Sequence, residues 1–268
     1  MMVMVPLQHI GSEYTADILT WLREKEMRGS RCRRQSPQLG RRRHLVEWTC
    51  EVQEKLGLSL ATLHLAVKMM DLFMDGHDIQ EPQLYLVCLG ALVLASKLEE
   101  KDGNVPRYSQ MNLFVKNFFP LSDFLNLEFV MLGYFNWRLC MTTSCCTASL
   151  LLPHALLPTD LHNNGPLIHL EKASLYLEEY VNYFLRISLL DPVFLDTSPS
   201  QTGTAVVAAA RKAFGISPWW PPLLAVMSGY TEYQLRKYIM VLLEHHKGEV
   251  LEDSSPVYMQ IGGKYSHN

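Results

Sequence analysis

The sequence predicts an all-α fold, built from two consecutive helical units of similar length with one further helix in front of them. Apolar residues recur along the chain with helical spacing, and no stretch alternates convincingly as a strand. Hydrophobic residues make up 48% of the chain and charged residues 19%, which is enough to build a sizeable core. Breakers such as Pro153, Pro158 and Gly165 separate the periodic stretches.

The predicted helices are placed by their apolar spacing and by the breakers between them. In the first half they lie near residues 13–28, 38–56, 59–74, 82–100, 109–117 and 122–135. The second half begins at Thr142, and its helices lie near residues 143–152, 166–190, 200–214, 219–229 and 231–247. No clear residue-level repeat relates the two halves.

Four segments follow from this pattern. We expect an N-terminal helix and basic loop at 1–37, a first five-helix unit at 38–139 and a second at 140–247. The tail at 248–268 loses its periodicity and contains Ser254-Ser255-Pro256 and Gly262-Gly263, so we expect it to be disordered.

Charge and cysteine usage exclude several classes of protein. The net charge is only −3, which predicts no general affinity for nucleic acid or membrane. None of the six cysteines forms a CxxC pair, and we expect reduced thiols in an intracellular protein. The apolar start Met1–Val5 lacks a positive flank and is a poor signal peptide. The apolar run Leu84–Ala95 is too short to span a bilayer.

The most informative stretch is Leu94–Gly103, which closes a helix that is apolar nearly all round. A helix without a polar face belongs in the centre of a helical domain. Lys97 and two acids then follow in a turn that contains Gly103. Taken alone, this lysine would complement the helix dipole at the C-terminus.

Several segments, taken in order, resemble the cyclin family. They match the helix before a cyclin box, then the first and second helices of the box, the end of the third, and the fifth, at Tyr14–Glu26, Arg42–Val52, Leu63–Phe73, Leu94–Glu100 and Leu125–Leu132. The resemblance covers about residues 12 to 246 and implies two consecutive five-helix cyclin boxes preceded by an N-terminal helix. A narrower likeness to one subgroup of the family is carried by Gln35–Leu39, Asp71–Asp75 and Thr159–His162.

The resemblance implies a kinase-binding site at the ends of the third and fifth box helices. Lys97 and Glu128 would hydrogen-bond the main chain of a kinase's regulatory helix and of the loop before it, through charge-assisted bonds that orient a partner backbone. Leu98, Leu132 and Trp137 would supply the apolar contact. The alternative is a surface lysine, a surface glutamate and a core tryptophan.

The resemblance also implies a substrate-docking patch, a groove that captures Arg-x-Leu peptides in cell-cycle cyclins. Leu45, Trp48 and Glu51 match the groove positions of the first box helix, and Leu84 matches one of the third. Burial of Leu45 and Trp48 as plain core residues is the alternative.

Three positions of this docking patch depart from the family. Arg41 stands where a methionine is usual, His44 where an isoleucine is usual and Tyr85 where a glutamine is usual. Arg41 and His44 bring polarity and positive charge to a groove meant for a leucine and an arginine. We therefore expect weak docking of ordinary peptides.

Two further features involve arginines. The resemblance pairs Arg42 with Asp71 in a buried structural ion pair, and Asp71 lies in an apolar helix, which favours burial. The basic cluster is either a nuclear import signal, an anion-binding patch or a solvated loop and helix start; its members are Arg28, Arg31, Arg33, Arg34, Arg41, Arg42 and Arg43.

The resemblance implies a noncatalytic regulatory subunit that binds and activates a cyclin-dependent kinase in cell-cycle control. It implies no cofactor or metal, and an intracellular location in the nucleus and also the cytoplasm. The runner-up is a cyclin-box adaptor in transcription or protein turnover without kinase activation.

The pair His77-Asp78 resembles that of helical metal phosphohydrolases, but no further ligands have diagnostic spacing, and no P-loop, HExxH or GxSxG motif is present.

Overall fold

The structure, a computed structural model, describes residues 14–252, with side chains described for residues 14–247. The α-helices in chain order are α1 (Thr15–Arg28), α2 (Arg42–Leu56), α3 (Leu60–Gly76), α4 (Glu81–Glu99), α5 (Tyr108–Leu113), α6 (Leu121–Tyr134), α7 (Ser144–Leu151), α8 (Leu170–Leu190), α9 (Pro199–Ala213), α10 (Pro222–Ser228) and α11 (Glu232–Glu252). Short 3-10 turns lie at Leu39–Arg41, Asp102–Asn104, Leu152–His154 and Pro192–Leu195. The all-α prediction, with two five-helix boxes behind one helix, is confirmed.

Local sequence signals set the main helix ends. Gly57 ends α2 in the left-handed region at φ 64°, a conformation that costs glycine little. Ser59 then caps α3, its side chain accepting from the backbone N–H of Thr62 at 3.2 Å. Thr143 caps α7 in the same way.

The first box (α2–α6) is organised round α4. Its residues from Leu86 to Ser96 are all buried, and α4 packs against α2, α3 and α6. Among the described helices, α4 alone is long and apolar enough to cross a membrane by length and composition, but most of its apolar stretch is buried inside the protein. Its apolar character therefore belongs to its place in the core.

The second box (α7–α11) is organised round α9, which packs against α7, α8 and α11. The run Ala205–Ala210 is fully buried. At Gly203 the backbone of α7 comes so close, at the carbonyl of Ser144, that a Cβ would not fit. The small residues of α9 thus allow neighbouring helices to approach it closely.

The N-terminal helix α1 packs on the second box, although it precedes the first in sequence. Leu19 and Leu22 belong to the second hydrophobic core, and α1 contacts α7, α9 and α10. Glu26 accepts hydrogen bonds from the backbone N–H of Ser200 at 3.0 Å and from its hydroxyl at 2.5 Å.

The two boxes are also joined by polar contacts. Arg42 donates to the carbonyl of Leu189 at 2.8 Å, and Lys68 donates to that of Thr142 at 2.7 Å. His64 of α3 bonds Ser144 of α7 at 3.0 Å. The predicted boundary at 139/140 lies in the connection between α6 and α7.

Three details differ from the sequence-based expectation. A small antiparallel sheet of β1 (Leu161–His162), β2 (Gly165–Pro166) and β3 (Ile216–Ser217) was not predicted, because two-residue strands are too short to show alternation. Helix α5 ends before 117, since Lys116 and Asn117 have positive φ. Helix α11 continues to Glu252, and the rest of the predicted disordered tail lies outside the described residues.

Candidate functional site

Lys97 and Glu128 meet at one edge of the first box. Lys97 lies in the last turn of α4 and Glu128 lies in α6, and their Nζ and Oε1 atoms are 2.5 Å apart. The Lys97 side chain is 42% exposed and that of Glu128 is 17% exposed, so both charges remain within reach of a partner.

Tyr108, the first residue of α5, contacts both members of this ion pair. Its hydroxyl donates to Oε2 of Glu128, and Nζ of Lys97 lies 3.5 Å from the same hydroxyl. Burial, and then the neighbouring Glu128, raise the pKa of Tyr108 well above its usual value, so the phenol keeps its proton. Both oxygens of the Glu128 carboxylate therefore accept a hydrogen bond, one from Lys97 and the other from Tyr108.

Two largely exposed aromatic side chains lie on α6 and just after its end. Phe129 is 67% exposed and Trp137 is 70% exposed. Trp137 has a left-handed backbone at φ 61°, and its N–H donates to the carbonyl of Leu132 at 2.9 Å, which ties it to the end of α6. The alternative of a core tryptophan is thus wrong.

The predicted apolar contacts differ in their accessibility. Leu132 belongs to the hydrophobic core and is 9% exposed, and Leu98 packs against that core with part of its surface free. Phe129 and Trp137 are therefore more accessible than the predicted contact Leu132. Aromatic anchors beside charge-assisted hydrogen-bonding groups suit the centre of a protein–protein interface.

Arg42 and Asp71 form a buried bidentate ion pair between α2 and α3. The Nε–Oδ1 distance is 2.7 Å and the Nη2–Oδ2 distance is 2.8 Å. Burial raises the pKa of Asp71, and the guanidinium of Arg42 opposes that shift. The bond from Arg42 to Leu189 satisfies a further donor and extends the pair into the second box.

The docking patch is brought together by α2 and α4. Leu45 and Leu84 are both only 2% exposed and form its floor, which agrees with burial as core for Leu45. Trp48 is half-buried and meets Tyr85 edge-on, with ring centroids 4.9 Å apart. Exposed Glu51 faces Lys55 at 3.9 Å.

Each departure from the family's docking patch has a partner on α2 or α4. Arg41 forms an ion pair with Glu81 at 2.8 Å. His44 and the Tyr85 hydroxyl are hydrogen-bonded at 3.1 Å. The positive charge expected at the groove edge is therefore offset, while the His44–Tyr85 bond and the Trp48 ring cover the apolar floor.

The basic cluster is largely neutralised within the described residues. Arg34 pairs with Asp196 at 2.7 Å and Arg43 with Glu47 at 2.9 Å, and Arg28 lies 4.0 Å from Glu24. Together with Arg41 and Arg42, five of the seven arginines have acidic partners. A strong anion-binding patch does not follow from this arrangement.

His77 and Asp78 have structural contacts. The His77 ring stacks on Phe73 with centroids 4.2 Å apart, and Asp78 accepts from the Gln38 side chain at 2.9 Å. Between residues 14 and 247, no three His, Cys, Asp or Glu side chains are arranged to hold a metal ion.

Sequence reasoning missed three features. Tyr108 lies outside the helix predicted at 109–117 and carries no motif, so no signal marked it. Phe129 follows Glu128 directly, and its position away from the apolar face of α6 was a signal that could have been used. A second buried pair, Arg211–Asp160 at 2.8 Å, was signalled by an arginine within the small apolar run of α9.

Comparison with known proteins agrees with this architecture. Residues 17–140 match the family profile described as Cyclin, N-terminal domain, and residues 167–268 match Cyclin, C-terminal domain. A viral cyclin from herpesvirus saimiri has the same fold, with a TM-score of 0.67 at 14% identity over 85% of this chain and 96% of its own.

Curated relatives include members of one subgroup, cyclin J. Cyclin-J of Xenopus laevis is 37% identical over 90% of this chain and 64% of its own length, and Cyclin-J of Homo sapiens is 36% identical over 90% and 63%. Cyclin-J-like protein of Mus musculus is 33% identical over 91% and 65%. The chain thus spans slightly less than two thirds of the length of these relatives. Two matched domains in sequence and an all-α structure of two five-helix boxes place the chain in the cyclin family.

Proposed function

We propose that this chain is the regulatory subunit of a cyclin-dependent protein kinase, and that it binds and activates the kinase in cell-cycle control. The observation that supports this most is the Lys97–Glu128 pair, held 2.5 Å apart on two helices, of which α6 also carries the exposed Phe129. A cationic donor and an anionic acceptor on such a surface can bond a carbonyl and an N–H of a partner backbone.

The proposed mechanism is a population shift. A kinase whose regulatory helix exchanges between two positions is driven to the active one by a surface that binds only that position. The shift is limited by the difference in affinity for the two states, so a rigid site is an advantage. The kinase supplies ATP, magnesium and the catalytic groups, and the chain itself acts without catalysing a step.

Reconstitution tests this proposal. The purified chain is mixed with individual cyclin-dependent kinases, and binding by calorimetry and phosphorylation of a peptide substrate are both measured. We expect at least one kinase to bind and to be activated. Binding without activation would favour the adaptor function, and the absence of binding to any member of the panel would contradict the proposal.

A substitution locates the site. Lys97→Met should weaken kinase binding at least about tenfold, because a charge-assisted bond to the partner is lost. The melting temperature should change little, since Lys97 itself is largely exposed and Glu128 keeps its hydrogen bond from Tyr108. Lys101→Met, at an exposed lysine just beyond α4, is the matched control and should bind normally. Equal affinity of Lys97→Met and the unmodified chain would exclude this surface.

We further propose an intracellular location that includes the nucleus. Among residues 14–247, Arg31 and Arg33 are the exposed members of the basic cluster that form no ion pair. An import signal requires accessible cationic side chains. Arg31→Ala together with Arg33→Ala should reduce nuclear accumulation of a fluorescent fusion; unchanged accumulation would exclude these arginines.

A further inference from the structure

Tyr108 is fixed in position from three directions. It begins α5, where the backbone N–H of Arg107 donates to the Gln110 side chain at 2.8 Å and so closes the first turn. Its ring packs on the fully buried ring of Phe124, with centroids 5.4 Å apart. The ammonium group of Lys97 lies over the Tyr108 ring, with Nζ 5.4 Å from the ring centroid. The hydroxyl is therefore presented at a defined point.

At that point lies one oxygen of the Glu128 carboxylate, which belongs to the proposed kinase-binding site. The Tyr108 hydroxyl donates to Oε2 of Glu128, while Lys97 donates to Oε1. A carboxylate has about four acceptor positions and a lysine ammonium has three donors. Both members of the pair can therefore bind a partner backbone without releasing Tyr108 or each other.

We infer that Tyr108 is a positioning residue of the kinase-binding site, whose hydroxyl holds Glu128 in the orientation that the partner backbone requires. The inference rests on the proposed function. Holding a flexible glutamate in place before binding reduces the conformational entropy lost on association, which strengthens binding without any new contact to the partner. Tyr108 thus acts through Glu128 and need not touch the kinase.

A double-mutant cycle tests this role. Tyr108→Phe keeps the ring and its packing on Phe124 and removes only the hydroxyl. The test uses a kinase that the unmodified chain binds. We expect Tyr108→Phe to weaken the affinity for that kinase about tenfold. In the Glu128→Gln background the loss should fall to about threefold or less, because a hydrogen bond to a neutral amide is about half as strong as one to a carboxylate. A purely structural role would give the same factor in both backgrounds.

Tyr134→Phe is the matched control. It removes the hydroxyl of another half-exposed tyrosine in the same box, one that donates to the carbonyl of Leu72 at 2.8 Å. It should leave kinase affinity unchanged. If Tyr108→Phe binds as tightly as the unmodified chain, or more tightly, the positioning role is excluded and the proposed function stands. If no kinase binds the unmodified chain, both fail.

Discussion

Arg42 connects three helices through one side chain. It holds Asp71 of α3 with two bonds and reaches the carbonyl of Leu189 at the end of α8. The side chains of Arg42 and Asp71 are only 7% and 10% exposed. A buried ion pair adds little stability as a pair, but the removal of one partner leaves a charge without compensation.

Arg42→Ala should therefore destabilise the protein by about 3–5 kcal/mol. Loss of kinase binding should then follow loss of folding. Urea unfolding measures the free energy of unfolding of each variant. Arg43→Ala removes the neighbouring arginine, whose pair with Glu47 is exposed, and should cost no more than about 1 kcal/mol. Similar midpoints for the two variants would contradict the structural role of Arg42.

His64 makes stability depend on pH. Burial, and then the charge of Arg186, lower its pKa from 6.5 to about 3 in the folded protein. Because the unfolded chain binds the proton more readily between these values, protonation favours unfolding there. Stability contributed by His64 is complete above pH 6.5 and is lost as the pH falls towards 3, at about 1.4 kcal/mol per pH unit.

Urea unfolding at pH 7 and pH 5 should show this loss. The decrease between the two should be about 2 kcal/mol larger for the unmodified chain than for His64→Gln, which cannot titrate. Other groups titrate equally in both proteins, so the difference isolates His64. Parallel pH profiles would show that His64 is not held neutral at the contact between α3 and α7.

At the scale of elements, α2 and α4 together decide what the docking patch can bind. The His44–Tyr85 bond joins one helix to the other, and the Trp48 ring lies against Tyr85. Arg41 is already paired with Glu81. Closure of the groove by these side chains is therefore a stronger obstacle to a peptide than repulsion by Arg41.

Arg-x-Leu peptides should bind this chain at least about tenfold more weakly than a cell-cycle cyclin, a difference of roughly 1.4 kcal/mol. Replacing both His44→Ile and Tyr85→Gln should recover most of the affinity, because the cover over Leu45 and Leu84 is removed. Calorimetric titration with one peptide compares the variants. Arg41→Met alone is the control for charge. If it increases peptide affinity more than the double replacement does, charge repulsion by Arg41 and not closure of the groove weakens peptide binding.

At the scale of the whole molecule, the N-terminal helix is part of the second box. Leu19 is 2% exposed and lies in the core built by α7–α11. Leu19→Ala should cost about 2–5 kcal/mol through the cavity that it leaves. Hydrogen exchange should show the loss of protection in α7, α9 and α10 before α3 and α4.

Leu175→Ala provides the control for this experiment. Leu175 is 65% exposed on α8, so its truncation should have little effect. Faster exchange of α3 and α4 than of α7 and α9 in Leu19→Ala would contradict the assignment of α1 to the second box.

Helix positions were largely predictable, because apolar spacing and capping residues act locally. The predicted helices 38–56 and 59–74 agree closely with α2 and α3, whose facing ends are set by Gly57 and Ser59. Tyr108 was not predictable as part of the site, whereas the position of Phe129 away from the apolar face of α6 could be read from the sequence. Their roles depend on which side of α5 and α6 faces solvent, and that is decided by the packing of α6 against α4 and of α5 against α6.

The sequence by itself determined the all-α class, the order of the helices and the family, since periodicity and ordered motifs are properties of the chain. Only the tertiary structure decided that α1 packs on the second box, that Arg41 and His44 are paired with residues of α4, and that Tyr108 holds Glu128. The physical reason is common to all three. A side chain's partner is set by contacts between residues far apart in sequence, and a local pattern carries no record of them.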